Sequence, residues 1–352
     1  MIRVKIVGAG GYGGVGITEL LLRHPEAEIV RLAASAEVGK RMSDLFPHLE
    51  GHCDLMVYPY DSPEGREPAD VVFFSTPDGV GMQYARAELD AGAKVIDFSG
   101  DFRFDDPSVY AEYARRIGRD PVHASPELLP ETVYGLAELR PERLDRSSRL
   151  VGNPGCFAVS VLLGLAPAVS AGLIEPTGIV CDCKTGVSGA GKKPSATFHF
   201  PARYDHMNAY KLAGHQHVME IERELGKLRG GPVTVTFTAQ VVPVCRGILS
   251  CLYGRLNPGV TLASVLEAYR EFHRDHPFVR IYDRSASVGT AHVRGSNSCY
   301  LIVDTDERNG LLRVVSHIDN LMKGQAGSAL QNMNILFGLP QTAGLDHPGQ
   351  YP

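Results

Sequence analysis

Residues 2–14 read IRVKIVGAGGYGG, and this stretch decides the architecture. Alternating apolar residues run straight into a cluster of glycines, the pattern of a strand that ends in a tight turn. The next residues, 12–23, carry the apolar segment ITELLLR and predict a helix. Gly8, Gly10 and Gly13 match G-x-G-x-x-G, and Gly8, Gly11 and Gly14 match a G-x-x-G-x-x-G register. Such a motif is weak alone. Here it follows a strand, opens a helix and begins a βαβ unit, the context in which the glycines let a dinucleotide pyrophosphate sit on a helix N-terminus. Gly8, Gly10, Gly11, Tyr12, Gly13 and Gly14 are therefore candidate cofactor residues.

Working outward, EIVRLAAS reads as a second strand and DVVFFSTPDG as a buried strand ending in a turn. A helix over 82–91 and KVIDFSGDFRF as the next strand continue the alternation. Strands alternating with helices predict an α/β domain with a parallel, doubly wound (Rossmann) sheet. After about residue 155 the pattern changes. TGIVCDCKTGVSGAG, PVTVTFTAQVVPVCRGILSCLYGRL and SNSCYLIVDTDERNGLLRVVSHID are long and rich in β-branched residues. They predict an α+β domain with a mostly antiparallel sheet, a hairpin turn over 306–310 and a covering helix over 262–276. At 352 residues the chain exceeds what one core usually supports. The expected division is a cofactor domain of residues 1–155, completed by a helical return over 320–352, and a catalytic and oligomerisation domain of residues 156–319.

The second strand bears on cofactor type. An NAD site usually ends this strand with an acid that bonds the ribose 2′-hydroxyl. Here it ends Leu32-Ala33-Ala34-Ser35, and Lys40 and Arg41 follow. Ser35 and Lys40 are candidate contacts to a 2′-phosphate, which points to NADP(H), although Glu37 lies in the same loop.

Cys156 lies in VGNPGCFAVSVLLGLAP, after a turn signal and at the head of an apolar run dense enough for a buried helix. A thiol there faces unpaired N–H groups and the positive end of the helix dipole, which favours the thiolate. The seven cysteines are an odd number in a long chain without an export signal, so reduced thiols in the cytoplasm are expected. Cys181 and Cys183 share one face of a strand and read as structural. A formal net charge of -5 argues against a general nucleic-acid surface, and no stretch approaches the length of a membrane span. A nucleophile needs a proton carrier. GHQHVMEIERELG offers His215, His217 and Glu220; a helix starting at Gly214 would put His217 and Glu220 on one face. A metal site on the two histidines would need a third ligand, which nothing in the sequence marks, so no metal is assigned.

At these residues the chain resembles the N-acetyl-γ-glutamyl-phosphate reductases, relatives of the aspartate-semialdehyde dehydrogenases. GAGGYGG, VIDFSGDFRF, VYGLAEL, GNPGC, TGVSGAGKKP, GHQHVMEIE, VPVCRGIL and IDNLMKGQAGSALQNMNILFG carry the resemblance over nearly the whole length. The family's glycine loop usually reads GASGYTG, so Gly10 and Gly13 stand for Ser and Thr here; Gln216 stands where the family has Arg. The resemblance implies that Cys156 is the nucleophile and His217 the acid/base, with His215 an alternative or assistant. It places Arg103 and Asn153 beside an acyl phosphate and Glu220 near the substrate. Ser188 and Gly189 in TGVSGAGKKP would lie near cofactor, as would Asn320, on a segment returning to the cofactor domain. The implied activity is NADPH-dependent reduction of N-acetyl-L-glutamyl 5-phosphate to the 5-semialdehyde through a cysteine thioester, by a cytoplasmic homodimer or homotetramer. The same motifs would serve a carrier-bound α-aminoadipyl phosphate, with Arg203 and Lys211 as basic groups at the pocket mouth. A non-catalytic NADP-binding regulator is the alternative from another class.

Overall fold

The computed structural model describes residues 1–351, apart from the side chain of residue 141. The chain forms two compact units, Met1–Gly155 with Gln325–His347, and Cys156–Gly324 with Pro348–Pro352. The expected return over 320–352 therefore divides: residues 320–324 and 348–351 go with the second unit, and residue 352 lies outside the described residues.

The first unit contains β1 (Ile2–Val7), α1 (Tyr12–Leu21), β2 (Ala27–Ala34), α2 (Met42–Leu45), β3 (Val57–Pro59), β4 (Val71–Phe74), α3 (Gly81–Asp90), β5 (Lys94–Asp97), α4 (Pro107–Arg116), β6 (Val133–Tyr134) and β7 (Leu150–Gly152). Among the described residues its sheet has the order β3-β2-β1-β4-β5-β7-β6. Every pairing is parallel. β4 reads Val-Val-Phe-Phe and is buried throughout, as a strand covered on both faces must be. The order reverses between β1 and β4, the switch point at which doubly wound sheets take ligands beyond their strand ends. KVIDFSGDFRF was expected as one strand, yet the strand stops at Asp97. The Asp97 carboxylate accepts the N–H of Ser99 at 2.8 Å, so a side chain replaces the ladder and turns the backbone. The helix Gly327–Phe337 packs on α1 and β5 within the same unit.

Lys5 enters the core from β1, where its ammonium meets Glu88 of α3 at 2.7 and 3.0 Å. The Tyr60 hydroxyl also donates to Glu88, at 2.9 Å. A fully buried ion pair of this kind is tolerated because every charge has a partner.

The second unit contains α5 (Cys156–Ser170), β8 (Ile179–Thr185), α6 (Phe200–Arg203), β9 (Asn208–Tyr210), α7 (His217–Arg229), β10 (Val235–Val241), β11 (Ile248–Arg255), α8 (Leu262–Phe272), β12 (Val279–Tyr282), α9 (Thr290–Val293), β13 (Cys299–Asp306) and β14 (Leu311–Ile318). Among the described residues its sheet order is β12-β13-β14-β11-β8-β10-β9. The sheet is mixed but mainly antiparallel, with β8–β10 and β12–β13 as the parallel pairs. The expected turn over 306–310 joins β13 to β14 as a hairpin. The run over 232–256 forms β10 and β11, which lie on opposite sides of β8 rather than beside each other. α5 is buried from Phe157 to Val169 and packs against α7, α8, β11 and β14. Its one internal hydroxyl, on Ser160, is satisfied by Ser250 at 2.8 Å and Ser316 at 3.0 Å.

The buried pair allows a direct test. Lys5→Met leaves Glu88 charged and desolvated, and should cost about 3 kcal/mol in urea unfolding. Lys5→Met combined with Glu88→Leu should cost less than the single change, because no uncompensated charge remains.

Candidate active site

In the first unit, Gly8 follows β1 with φ 88°, and a Cβ there would strike the Ser75 carbonyl oxygen beyond β4. A Cβ on Gly14 would strike the carbonyls of Gly8 and Ala9. These two residues thus need to be glycine for the turn to close onto α1. Gly11 is the N-cap of α1, with no side-chain cap and no acid in the first turn, so the helix start is left for an anion. Tyr12 opens the helix, half-exposed. Gly13 packs against Ser75 and Gln325. Past β2, Ser35 and Lys40 are exposed. These residues fit a dinucleotide phosphate, with a cradle that larger side chains would fill.

Arg103 and Asn153 are brought together in the same unit. The Arg103 Nε donates to the Asn153 carbonyl at 2.9 Å, and a terminal nitrogen donates to the Phe98 carbonyl at 2.7 Å. Both bonds fix the guanidinium plane. Asn153 is itself fully buried: its amide donates to the Gln325 carbonyl at 3.1 Å and its oxygen accepts from Asn332 at 3.1 Å. Its side chain is occupied in holding strand ends, so the geometry gives it a structural task. Nearby, burial pushes the Asp101 carboxyl up to about 6, while Asp101 accepts the N–H groups of Gly79 and Met82 at the start of α3.

In the second unit, Cys156 is the first residue of α5 and is partly exposed. α7 starts at His217 rather than at Gly214, because the Nδ1 of His215 accepts the His217 N–H at 3.2 Å. His217 and Glu220 still lie one turn apart, both buried, in the first turn of α7. The Phe157 ring, next to Cys156, meets His215 at 5.5 Å and His217 at 6.1 Å between centroids. The two helix starts are therefore at one end of the packed α5–α7 pair. Burial drives the His215 imidazole down to about 2, reinforced by His217 and Lys211, so this ring is neutral. With Nδ1 accepting, its proton is on Nε2. Tyr210 also enters this cluster, 5.6 Å from the His215 ring. Burial and then the nearby Cys156 raise its phenol. Nothing in the sequence pattern marked Tyr210 except its place ahead of the histidine motif.

Ser188 and Gly189 form a tight turn after β8. Asn320 lies in the second unit, not in the returning segment. Its amide donates to the Ser188 hydroxyl at 3.0 Å and its oxygen accepts the Gly247 N–H at 2.8 Å. Asn320 therefore clamps two loops. Its neighbour Asp319, fully buried, accepts from Arg246 at 3.0 Å and from the N–H groups of Gly295, Leu321 and Met322. That clamp fixes a π-turn, Met322–Ala326, in which Gly324 comes so near that a Cβ there would lie 2.8 Å from the Cys156 Cβ. A glycine inside a helical pattern was the available signal. Cys181 and Cys183 are buried side by side on β8, and burial raises both thiols, Cys183 to about 12. Among the described residues no group of three His, Cys, Asp or Glu side chains is arranged to hold a metal ion. No helix among them is long and apolar enough to cross a membrane.

Residues 3–147 match the model for the semialdehyde dehydrogenase NAD binding domain, and residues 156–320 match the semialdehyde dehydrogenase dimerisation domain. The chain is 43% identical over 352 residues, covering 100% of both chains, to the N-acetyl-gamma-glutamyl-phosphate reductase of Desulforudis audaxviator. It is 44% identical over 353 residues to that of Symbiobacterium thermophilum, covering 100% of this chain and 99% of the relative. Among solved structures, aspartate semialdehyde dehydrogenase II of Vibrio cholerae, complexed with ASA, matches with a TM-score of 0.73 at 18% identity, over 96% of this chain and 98% of that one.

The neutral, buried His215 has a measurable consequence. Its proton affinity is ordinary in the unfolded chain and depressed in the folded one, so its stabilisation is complete above about pH 6.5 and is lost as pH falls below that value. The loss is up to about 1.4 kcal/mol per pH unit. His215→Asn keeps an acceptor for the His217 N–H and should make the acid limb of the unfolding midpoint against pH shallower between about pH 6.5 and 5. An unchanged limb would contradict the assignment.

Proposed function

The chain belongs to the N-acetyl-γ-glutamyl-phosphate reductase family of semialdehyde dehydrogenases, an oxidoreductase family, and from that premise we propose that it reduces an acyl phosphate to an aldehyde through a thioester on Cys156. The substrate is N-acetyl-L-glutamyl 5-phosphate, the product its 5-semialdehyde, and the step belongs to arginine biosynthesis. The observation that carries this reading is that Cys156 and His217 begin two packed helices, with Phe157 against both histidine rings.

The Cys156 thiolate attacks the acyl carbon, and the C–O bond to phosphate breaks as phosphate leaves. The first-turn N–H groups and dipole of α5 stabilise charge on sulfur and then on the carbonyl oxygen. Arg103, fixed by its two carbonyl partners, holds phosphate oxygens through its planar fork. A thioester is more readily reduced than a carboxylate, which is the advantage of a covalent step. When bound, NADPH supplies the hydride that makes the carbonyl carbon an aldehyde. Gly8, Gly10, Gly11, Tyr12, Gly13 and Gly14 hold its pyrophosphate, Ser35 and Lys40 its 2′-phosphate, and Ser188 and Gly189 its nicotinamide half. Asn320 serves by holding the Ser188 turn. His217 carries the proton as the tetrahedral adduct on Cys156 collapses and the C–S bond breaks. His215 is the positioning residue: its Nδ1 sets where α7 begins and its ring packs against His217 at 4.9 Å. Glu220 orients His217 or binds substrate from the same turn.

Arg203 is buried and bonded to Asn208, His206 and Thr197 within its own segment, which supports the acetylglutamyl substrate over one borne by an acidic carrier protein. The dimerisation-domain match supports a homodimer or homotetramer formed through the second unit. The thiols, none of them in a disulfide, suit the reducing cytoplasm.

Cys156→Ser should lower turnover by at least about 1,000-fold while NADPH binding, read by the fluorescence of the reduced nicotinamide, is retained. Near-normal turnover would overturn the thioester. Assays with both acyl phosphates should give reduction of the acetylglutamyl substrate and none of the carrier-bound α-aminoadipyl one.

A further inference from the structure

Glu37 stands in the left-handed backbone region, with φ 63°. Glutamate seldom occupies that region, and such an outlier, once observed, calls for a reason. The reason is where it sends the side chain. A Cβ on residue 10 would run into the Glu37 carboxylate oxygen and would lie 3.4 Å from its carboxyl carbon. The carboxylate therefore lies over the glycine turn that leads into α1. The residues after it are pinned to β3: the Gly39 N–H donates to the Val57 carbonyl at 2.9 Å, and the Val57 N–H donates to Lys40 at 2.9 Å. With 39 and 40 tied down, the bend at Glu37 aims its side chain back across the loop.

This arrangement matches a departure in the motif. Where the reductase motif usually has Ser, residue 10 is Gly, and the space a serine side chain would take is the space the Glu37 carboxylate approaches. The two positions are sterically coupled. A carboxylate beside the glycine turn and past the tip of β2 is the group that accepts hydrogen bonds from a ribose 2′-hydroxyl. It opposes a 2′-phosphate, whose charge is of the same sign. Lys40 is exposed nearby in the sequence and favours the phosphate, while Arg41 is engaged with Asp44 at 3.4 Å.

We infer that Glu37 sets the discrimination between the two nicotinamide dinucleotides, so that this enzyme accepts NADH as well as NADPH. The inference rests on the assignment of residues 8–14 as the dinucleotide site. Glu37 receives the 2′-hydroxyl of NADH, and Lys40 with Ser35 receives the 2′-phosphate of NADPH. Gly10 is what allows the first of these.

Titration of the whole protein with NADH and with NADPH, followed by calorimetry, tests this without any turnover. The wild-type dissociation constants should lie within about tenfold of each other, since the acid and the base offset one another. Glu37→Gln removes the charge and keeps the size. It should tighten NADPH, loosen NADH and move their ratio by at least about tenfold, the effect of one charge-assisted hydrogen bond. Glu37→Asn, which suits the left-handed backbone, should act the same way. Gly10→Ser should displace the carboxylate and shift the ratio in the same direction, and adding it to Glu37→Gln should give little more. A ratio unmoved within twofold in Glu37→Gln, or effects of the two changes that simply add, would overturn the inference while leaving the dinucleotide site standing. Wild-type protein that binds neither dinucleotide would overturn the site assignment and this inference with it.

Discussion

A helix that is apolar on every side has to be covered on every side, and the chemistry of the second unit depends on that constraint in α5. Phe157 and the Val, Leu and Ala residues after it are buried. Each large side chain among them contributes about 1.5–3 kcal/mol relative to exposure. The cover comes from α7 and α8 and from β11 and β14. Once α5 is so enclosed, only its two end residues stay open, Ser170 at the C-terminus and, at the N-terminus, Cys156. The same packing brings the start of α7 to the start of α5, with the Phe157 ring beside Cys156 against both imidazoles. The hydroxyls of Ser160, Ser250 and Ser316 meet within this interface and leave no polar group of the helix unsatisfied there.

Polar groups then do the fine positioning, mostly by bonding backbone. Asp319 and Asn320 tie the Ser188 turn, the Gly247 loop and the π-turn beside Cys156 into one network. Arg103 and Asn153 do the equivalent in the first unit, where each bond goes to a carbonyl or to a neighbouring amide. Buried polar groups of this kind are costly unless satisfied, so once satisfied they allow few alternatives. This changes how several residues are understood. Asn153 and Asn320, expected to touch ligands, have their carboxamides hydrogen-bonded within the protein. His215, one of two candidates for proton transfer, is desolvated to a neutral ring whose acceptor nitrogen is used by the helix start.

The fold was largely legible because it is written in periodicity. The strand-turn-helix of residues 2–14, the uniformly apolar β4 and the β13–β14 hairpin all depend on local patterns that tertiary contacts only reinforce. The misjudged boundaries share a cause. The strand in KVIDFSGDFRF ends at Asp97 because a carboxylate captures a nearby N–H. α7 begins at His217 because an imidazole does the same. Hydropathy carries no information about such side-chain bonds to backbone.

By itself the sequence determined the two sheet types, the glycine turn at the first strand, the thiol at the head of a buried helix and the histidine pair, since each is a property of adjacent residues and their spacing. Only the tertiary structure decided that His215 stays neutral, that Gly324 lies against Cys156, that Asn320 belongs with the second unit, and that Glu37 reaches over Gly10. Those outcomes turn on desolvation and on close approach between residues distant in the chain, and neither exists until the chain has folded.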